Sequence, residues 1–218
     1  MFKHETQVIK FLLQWYSVNA RNLPWRKKNT LNLPDPYFVF VSEYMLQQTT
    51  VNTVKNKFNE FILKWPSLNK LAQTSEPNIL EFWSGLGYYS RARNLLKSAK
   101  IIKYNFKNKI PETYDELIQL PGIGDYTAKA ILGIGFNQSV MPLDANIERI
   151  LVRLYAIDKP INKVKNKLKD LGKKFISDKY SSNLIQSFMD YGSEICLPRN
   201  PKCNICEINK FCQSYKKN

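Results

Sequence analysis

Apolar residues recur at three- and four-residue intervals along most of this chain, the spacing that lines one face of a helix. In the opening segment MFKHETQVIKFLLQWY, Val8, Phe11, Leu12 and Trp15 stand at i, i+3, i+4 and i+7 and predict an amphipathic helix. The same period predicts helices in FVFVSEYMLQQTTVNTVKNKFNEFILKW, EPNILEFWSGLG, SRARNLLKSAKIIKYNF, YDELIQL, YTAKAILGIGF and NIERILVRLYAI. Short polar or proline-containing turns join them. FVFV alone would suit a strand, but it runs on into a helical pattern, and no set of alternating strands predicts a sheet. Residues 27–36, KKNTLNLPDP, carry two prolines and predict a loop; the basic stretch 162–174 predicts a solvated helix. There is no internal repeat and no long flexible linker. The fold class expected is all-α.

With 44% hydrophobic residues in 218, the chain can bury a core without cross-links. No apolar run reaches the roughly 18 residues of a membrane span, and the opening residues lack the features of a cleaved signal. The reading is a cytoplasmic protein with no membrane partner. Thirty-three Lys and Arg against eighteen Asp and Glu leave a net charge of +15. An excess of that size points to a polyanion, most simply nucleic acid, with a lysine-rich surface as the plain alternative.

Cys196, Cys203, Cys206 and Cys212 are the only cysteines, and all lie in the last 23 residues with the spacing C-x6-C-x2-C-x5-C. A reducing cytosol keeps such thiols free, so the cluster reads as a metal site. Structural zinc prefers two close C-x2-4-C pairs, and only one is present. The spacing favours an iron–sulfur cluster held by four thiolates and leaves zinc as the alternative.

Glycines are few, eight in all, and Gly85/Gly87 and Gly122/Gly124 are tight pairs among them. In LPGIGD, Pro121 stops one helix, Gly122 and Gly124 allow positive φ in a tight turn, and Ile123 points back into the core. The next helix then begins with free amides, which suit a phosphate. An ordinary helical turn is the plain alternative. Asp144, in MPLDAN, stands where a helix starts; a simple N-cap is the common role for such an aspartate. Glu43 lies among Val, Met and Leu in VSEYMLQQT. Desolvation there would raise its pKa and suit a general acid, while a solvent-facing glutamate is the alternative.

Taken together, SEYMLQQTTV, GLGYYSRARNL, LPGIGDYTAKAI, the LDAN stretch and the cysteine spacing resemble the helix–hairpin–helix DNA glycosylase superfamily. Within it they are most similar to the MutY-type adenine mismatch glycosylases, over nearly the whole chain from LPWR to Cys212. The resemblance implies a [4Fe–4S] cluster on the four cysteines. It implies that Glu43 protonates the adenine, at N7, and that Asp144 stabilises the oxocarbenium-like sugar or adds to it, oriented by Asn146. Tyr126 occupies the place where bifunctional relatives of the endonuclease III type carry a catalytic lysine. A phenol forms no Schiff base, so the expectation is a monofunctional enzyme. By the same resemblance Gln48 wedges into the duplex and Tyr88 lies against the opposite base. Arg21, Trp25, Arg26, Leu46 and Asp190 surround the flipped adenine, Gly122 and Gly124 meet the backbone, and Arg91, Arg93, Arg199 and Lys202 are candidate phosphate contacts.

The resemblance implies two helical lobes with the DNA cleft between them: residues 25–135 with Glu43, Gln48 and the hairpin, and residues 1–24 with 136–218 holding the cluster. It implies a monomer in the bacterial nucleoid, acting on double-stranded DNA with a mismatch or an oxidised guanine. Three departures stand out. Adenine enzymes of this type carry a further Nudix-like domain that helps recognise 8-oxoguanine, whereas six residues follow Cys212 here. The stretch reads Asp-Ala-Asn where they usually have Asp-Gly-Asn; Asp-Ala-Asn resembles thymine–guanine mismatch glycosylases, which makes thymine removal the alternative activity. The loop 29–34 is longer than in many relatives. A non-catalytic DNA-binding relative is a third possibility, which the presence of both Glu43 and Asp144 disfavours.

Overall fold

A computed structural model describes residues 3–217. Met1 and Phe2, at the head of the first expected helix, and Asn218 lie outside the described residues. The described residues form α1 (Lys3–Asn19), α2 (Pro36–Leu46), α3 (Val51–Lys64), α4 (Leu68–Ala72), α5 (Glu76–Phe82), α6 (Ser90–Asn105), α7 (Tyr114–Leu117), α8 (Asp125–Ala130), α9 (Ala145–Leu154), α10 (Ile161–Lys173), α11 (Ser181–Glu194) and α12 (Gln213–Lys216). Among them there is no strand, only an isolated bridge between Lys28 and Pro34. The expected all-α class holds. No helix among the described residues is long and apolar enough to cross a membrane. The chain divides into a central unit, Asn22–Phe136, and a terminal unit built from Met1–Arg21 with Asn137–Asn218.

In the central unit, side chains next to each helix set where it starts. Asp35 accepts from the Tyr37 amide at 2.8 Å, with Pro36 in the first turn of α2. Thr50, Ser67, Ser75 and Thr113 cap α3, α4, α5 and α7 in the same way. α2 is buried on nearly every face, through Val39, Phe40, Val41, Tyr44 and Met45, as a helix enclosed by others must be. It packs against α3, α6, α8 and a wide π-helical turn, Ile131–Gly135. At Gly135 a Cβ would stand 3.2 Å from the Pro36 Cα, so a bare backbone permits that contact.

The long helix expected from FVFV to ILKW is broken. α2 ends at Leu46, Gln48 takes φ +56°, and Thr50 opens α3. The apolar period ran across this break because both flanking helices bury the same kind of face.

In the terminal unit, α1 buries Val8 and Leu12 and half-buries Phe11 and Trp15, the stripe its sequence predicts. Glu5 shares that face and accepts a hydrogen bond from the Tyr155 hydroxyl at 2.7 Å. α11 packs against both α1 and α9. α11 was not among the expected helices, although Leu184, Ile185, Phe188 and Tyr191 stand at helical spacing; its buried residues include the polar Ser182, Gln186, Ser187 and Asp190, which mask that stripe in the sequence. The basic stretch forms α10, which turns Val164, Leu168 and Leu171 inward.

Candidate active site

The hairpin lies between α7 and α8. Gly122 takes φ +82°, and a Cβ there would stand 3.0 Å from the Asn94 Cβ and 3.1 Å from the Tyr44 ring. Only glycine satisfies both constraints. Gly124 differs from expectation. Its φ of −109° is open to any residue, and a Cβ would meet nothing within 4 Å. It is the cap residue of α8, and its lack of a side chain leaves the first amides of that helix uncovered. Ile123 is buried as anticipated.

The Tyr44 hydroxyl donates to the Pro121 carbonyl at 2.5 Å and meets the Ser98 hydroxyl at 2.9 Å; the Gln47 amide donates to the Gly122 carbonyl at 3.2 Å. Burial pushes the Tyr44 phenol well above its ordinary value, so it stays a neutral donor. Through these bonds the end of α2 is tied to the hairpin. Tyr126, the second residue of α8, is half-buried.

Glu43 is 6% exposed, on the third turn of α2, which answers in favour of burial the question its sequence left open. Leu46 at the end of that helix is half-exposed and Gln48, just beyond, is exposed. Trp25 lies buried in a short 3-10 turn, Pro24–Arg26, edge-on to Phe58 at 5.6 Å, with Arg26 half-exposed beside it. Tyr88 is 63% exposed with φ +47°, between Gly87 and the start of α6.

Arg91 departs from expectation. It is buried, and its guanidinium donates to the carbonyls of Tyr44, Met45 and Gln47 on one side and of Leu86 and Gly87 on the other. It is therefore not a phosphate contact. Arg93 pairs with Glu76 at 2.9 Å. Periodicity carries no signal for these long-range bonds.

In the terminal unit Asp144 caps α9. One carboxylate oxygen accepts from the Ile147 amide at 2.7 Å and the other from the Asn146 side-chain amide at 2.8 Å. Both oxygens are thus fixed by donors, which holds the carboxylate in a single orientation. The Asn146 carbonyl oxygen in turn accepts from Arg149 at 2.8 Å. The same guanidinium donates to the carbonyls of Gly192 (2.7 Å) and Cys196 (2.7 Å). Gly192 permits this packing: a Cβ there would stand 2.5 Å from the Asn146 Cβ. Arg149 carries a role that no sequence motif revealed, joining the residue that orients Asp144 to the first cysteine. Asp190 is fully buried and accepts from both the Arg21 amide (2.9 Å) and its Nε (2.7 Å). That pair ties the end of α1 to α11.

All four cysteines are unpaired and line one cavity together with Ile150, Leu154 and Ile195. Donors aim at the sulfurs: Arg153 at Cys196 Sγ and the Tyr191 hydroxyl at Cys206 Sγ, each at 3.3 Å. Burial, with the neighbouring cysteines adding to it, pushes the Cys206 and Cys212 thiols up, a cost that a cationic group between them would offset. Among the described residues no three His, Cys, Asp or Glu side chains are placed to hold a metal ion. A multi-iron cluster spreads its thiolates wider than a single ion does. The shared cavity and the donors aimed at sulfur weigh more here, and the four soft ligands fit such a group.

The glycine hairpin between two short helices, in an otherwise helical set of described residues, defines a helix–hairpin–helix protein. Residues 41–174 match the family described as HhH-GPD superfamily base excision DNA repair protein, and the chain belongs to that family. It is 43% identical over 210 residues to an adenine DNA glycosylase of Buchnera aphidicola subsp. Schizaphis graminum, covering 95% of this chain and 59% of that one. It is 39% identical to the adenine DNA glycosylase of Rattus norvegicus, covering 94% of this chain and 41% of that one. The chain thus spans about three fifths, or less, of the length of these relatives. A solved thermostable thymine-DNA glycosylase superposes with a TM-score of 0.88 at 25% identity, covering 99% of this chain and 98% of that one.

Proposed function

We propose that the chain is a monofunctional DNA glycosylase that removes adenine mispaired with 8-oxoguanine or guanine in double-stranded DNA. The observation that carries this reading is the match to proteins named adenine DNA glycosylase over 94–95% of the chain. The carboxylates support it. The target nucleotide leaves the stack, because its glycosidic bond is out of reach inside a duplex. Glu43, buried in an apolar helix, donates its proton to the adenine and turns it into a neutral leaving group. Asp144, oriented by Ile147 and Asn146, stabilises the positive charge that develops on the sugar. Water then adds to the sugar and returns a proton, leaving an abasic site and free adenine. Tyr126 supplies no amine, so no Schiff base forms and the strand stays intact.

Cys196, Cys203, Cys206 and Cys212 would hold a [4Fe–4S] cluster. When bound, such a cluster supplies a rigid cross-link for the segment between Cys196 and Cys203. Iron and acid-labile sulfide in equal amounts are expected in protein purified without air; zinc in their place would contradict this assignment.

Thymine removal from T·G is the second reading. Ala145 beside Asp144 and the thymine-DNA glycosylase superposition favour it. The chemical step is tested by product analysis on a duplex with adenine opposite 8-oxoguanine. Free adenine and an alkali-labile but uncut strand are expected. A borohydride-trapped adduct with the wild-type chain would contradict the monofunctional assignment.

A further inference from the structure

Arg91 is the most heavily engaged side chain of the central unit, and the proposed chemistry gives it no role. Its Nη1 donates to the carbonyls of Tyr44 (3.2 Å), Met45 (2.7 Å) and Gln47, groups that the end of α2 leaves without helical partners. Its Nη2 donates to the carbonyls of Leu86 (2.8 Å) and Gly87 (3.1 Å) and to the Thr49 hydroxyl (3.0 Å). The guanidinium lies 5.6 Å from the Trp83 ring centre and 5.7 Å from that of Tyr88. Two segments far apart in sequence therefore close on one planar cation. Each presents an exposed residue with left-handed backbone: Gln48 at φ +56° from the first segment and Tyr88 at φ +47° from the second. Non-glycine residues hold that conformation only where their surroundings dictate it. The element that both segments share is Arg91, which bonds the residues flanking each tip.

We propose that Arg91 is a positioning residue that locks the Gln48 and Tyr88 segments into one rigid reader of the duplex, so that wedging and opposite-base contact occur together. The role of the two tips rests on the proposed glycosylase function; the coupling between the segments rests on the hydrogen bonds alone. Lysine cannot replace this arginine. An ammonium is a point donor and cannot bridge two sets of carbonyls lying on opposite edges of a planar fork.

The test is a double-variant cycle with Arg91→Lys and Gln48→Ala, read by single-turnover base release and by fluorescence of 2-aminopurine placed at the target adenine. Arg91→Lys is expected to slow release about 10- to 100-fold, the scale of a small misplacement, and to lower the fluorescence rise. Duplex Kd should stay within about threefold, since no charge is lost. The double variant is expected to be no slower than the slower single variant, because both changes disable one device. Multiplying losses would overturn the proposal. Amide exchange on the free protein tests the coupling without DNA: protection at residues 47–49 and 86–88 should fall together in Arg91→Lys. Loosening of one segment alone would overturn it, even were the wild-type chain to release no adenine, which would count only against the glycosylase reading. Should Arg91→Lys not fold, Thr49→Val removes one partner of the clamp, and the same joint loosening is expected; unchanged exchange in both segments would overturn the proposal.

Discussion

Asp144 offers both carboxylate oxygens to fixed donors, the Ile147 amide and the Asn146 side chain, and this sets what a change of one atom does. Asp144→Asn keeps a good helix cap and removes the charge. Base release should fall by about 10³-fold or more, the scale of lost electrostatic stabilisation, while duplex affinity persists. Glu43→Gln should lower release by about 10²- to 10⁴-fold, the usual contribution of a general acid. Single-turnover kinetics beside a binding isotherm check both, and near-wild-type rates would remove the assigned roles. The two hairpin glycines separate in the same way. Gly122→Ala forces a side chain into left-handed backbone against Asn94 and Tyr44 and should cost about 1–2 kcal/mol or more in denaturant unfolding. Gly124→Ser, at an open cap position, should change stability by only roughly 0.3 kcal/mol. The LPGIGD motif showed that a tight turn exists; it could not show that only one glycine supplies the left-handed backbone. Glu43 was ambiguous for a similar reason. A single acid in an apolar run faces either way until the helices around it are known.

The starts of α5, α6 and α7 were the most legible elements: the helical segments read from the sequence begin at Glu76, Ser90 and Tyr114, as these helices do. The break between α2 and α3 was not legible, since the apolar period continues across it. α11 was missed although Leu184, Phe188 and Tyr191 recur at helical spacing, because buried Ser182, Gln186, Ser187 and Asp190 interrupt its apolar residues. Its tie to α1 gives an element-scale prediction. Asp190 is fully buried and answers the Arg21 amide and guanidinium, so Asp190→Ala leaves both donors without it. The expected loss is about 1.5–3 kcal/mol, the range of hydrogen bonds to charged groups, because Arg21 keeps partial access to water. A Tm unchanged beside a slowed reaction would instead favour a role at the base. Arg149 belongs to this scale too, linking Asn146 on α9 to the carbonyls of Gly192 and Cys196. Arg149→Gln should slow base release about 10- to 100-fold through the freed Asn146, as losses of supporting partners do. Full activity in that variant would show that Asn146 holds Asp144 unaided.

Across the whole molecule the net charge of +15 predicts binding that weakens steeply with salt. Arg199 and Lys202, both exposed in the segment between the first two cysteines, are part of that surface. Replacing both by alanine should flatten the log Kd–log salt slope by about 1.8, or about 0.9 for each lost phosphate contact. An unchanged slope would place the contacts elsewhere. The all-α architecture was legible from the helical period, and the family from ordered motifs. The work of Arg91 and Arg149 was not, because carbonyls gathered from distant segments leave no trace in local sequence. The central claim is a choice of base, and single-turnover release from four duplexes decides it: adenine opposite 8-oxoguanine, adenine opposite guanine, thymine opposite guanine, and adenine opposite thymine. Adenine release from the first two, with the other two untouched, is the predicted result. Thymine release from the third alone would contradict it and make Ala145 the residue to study.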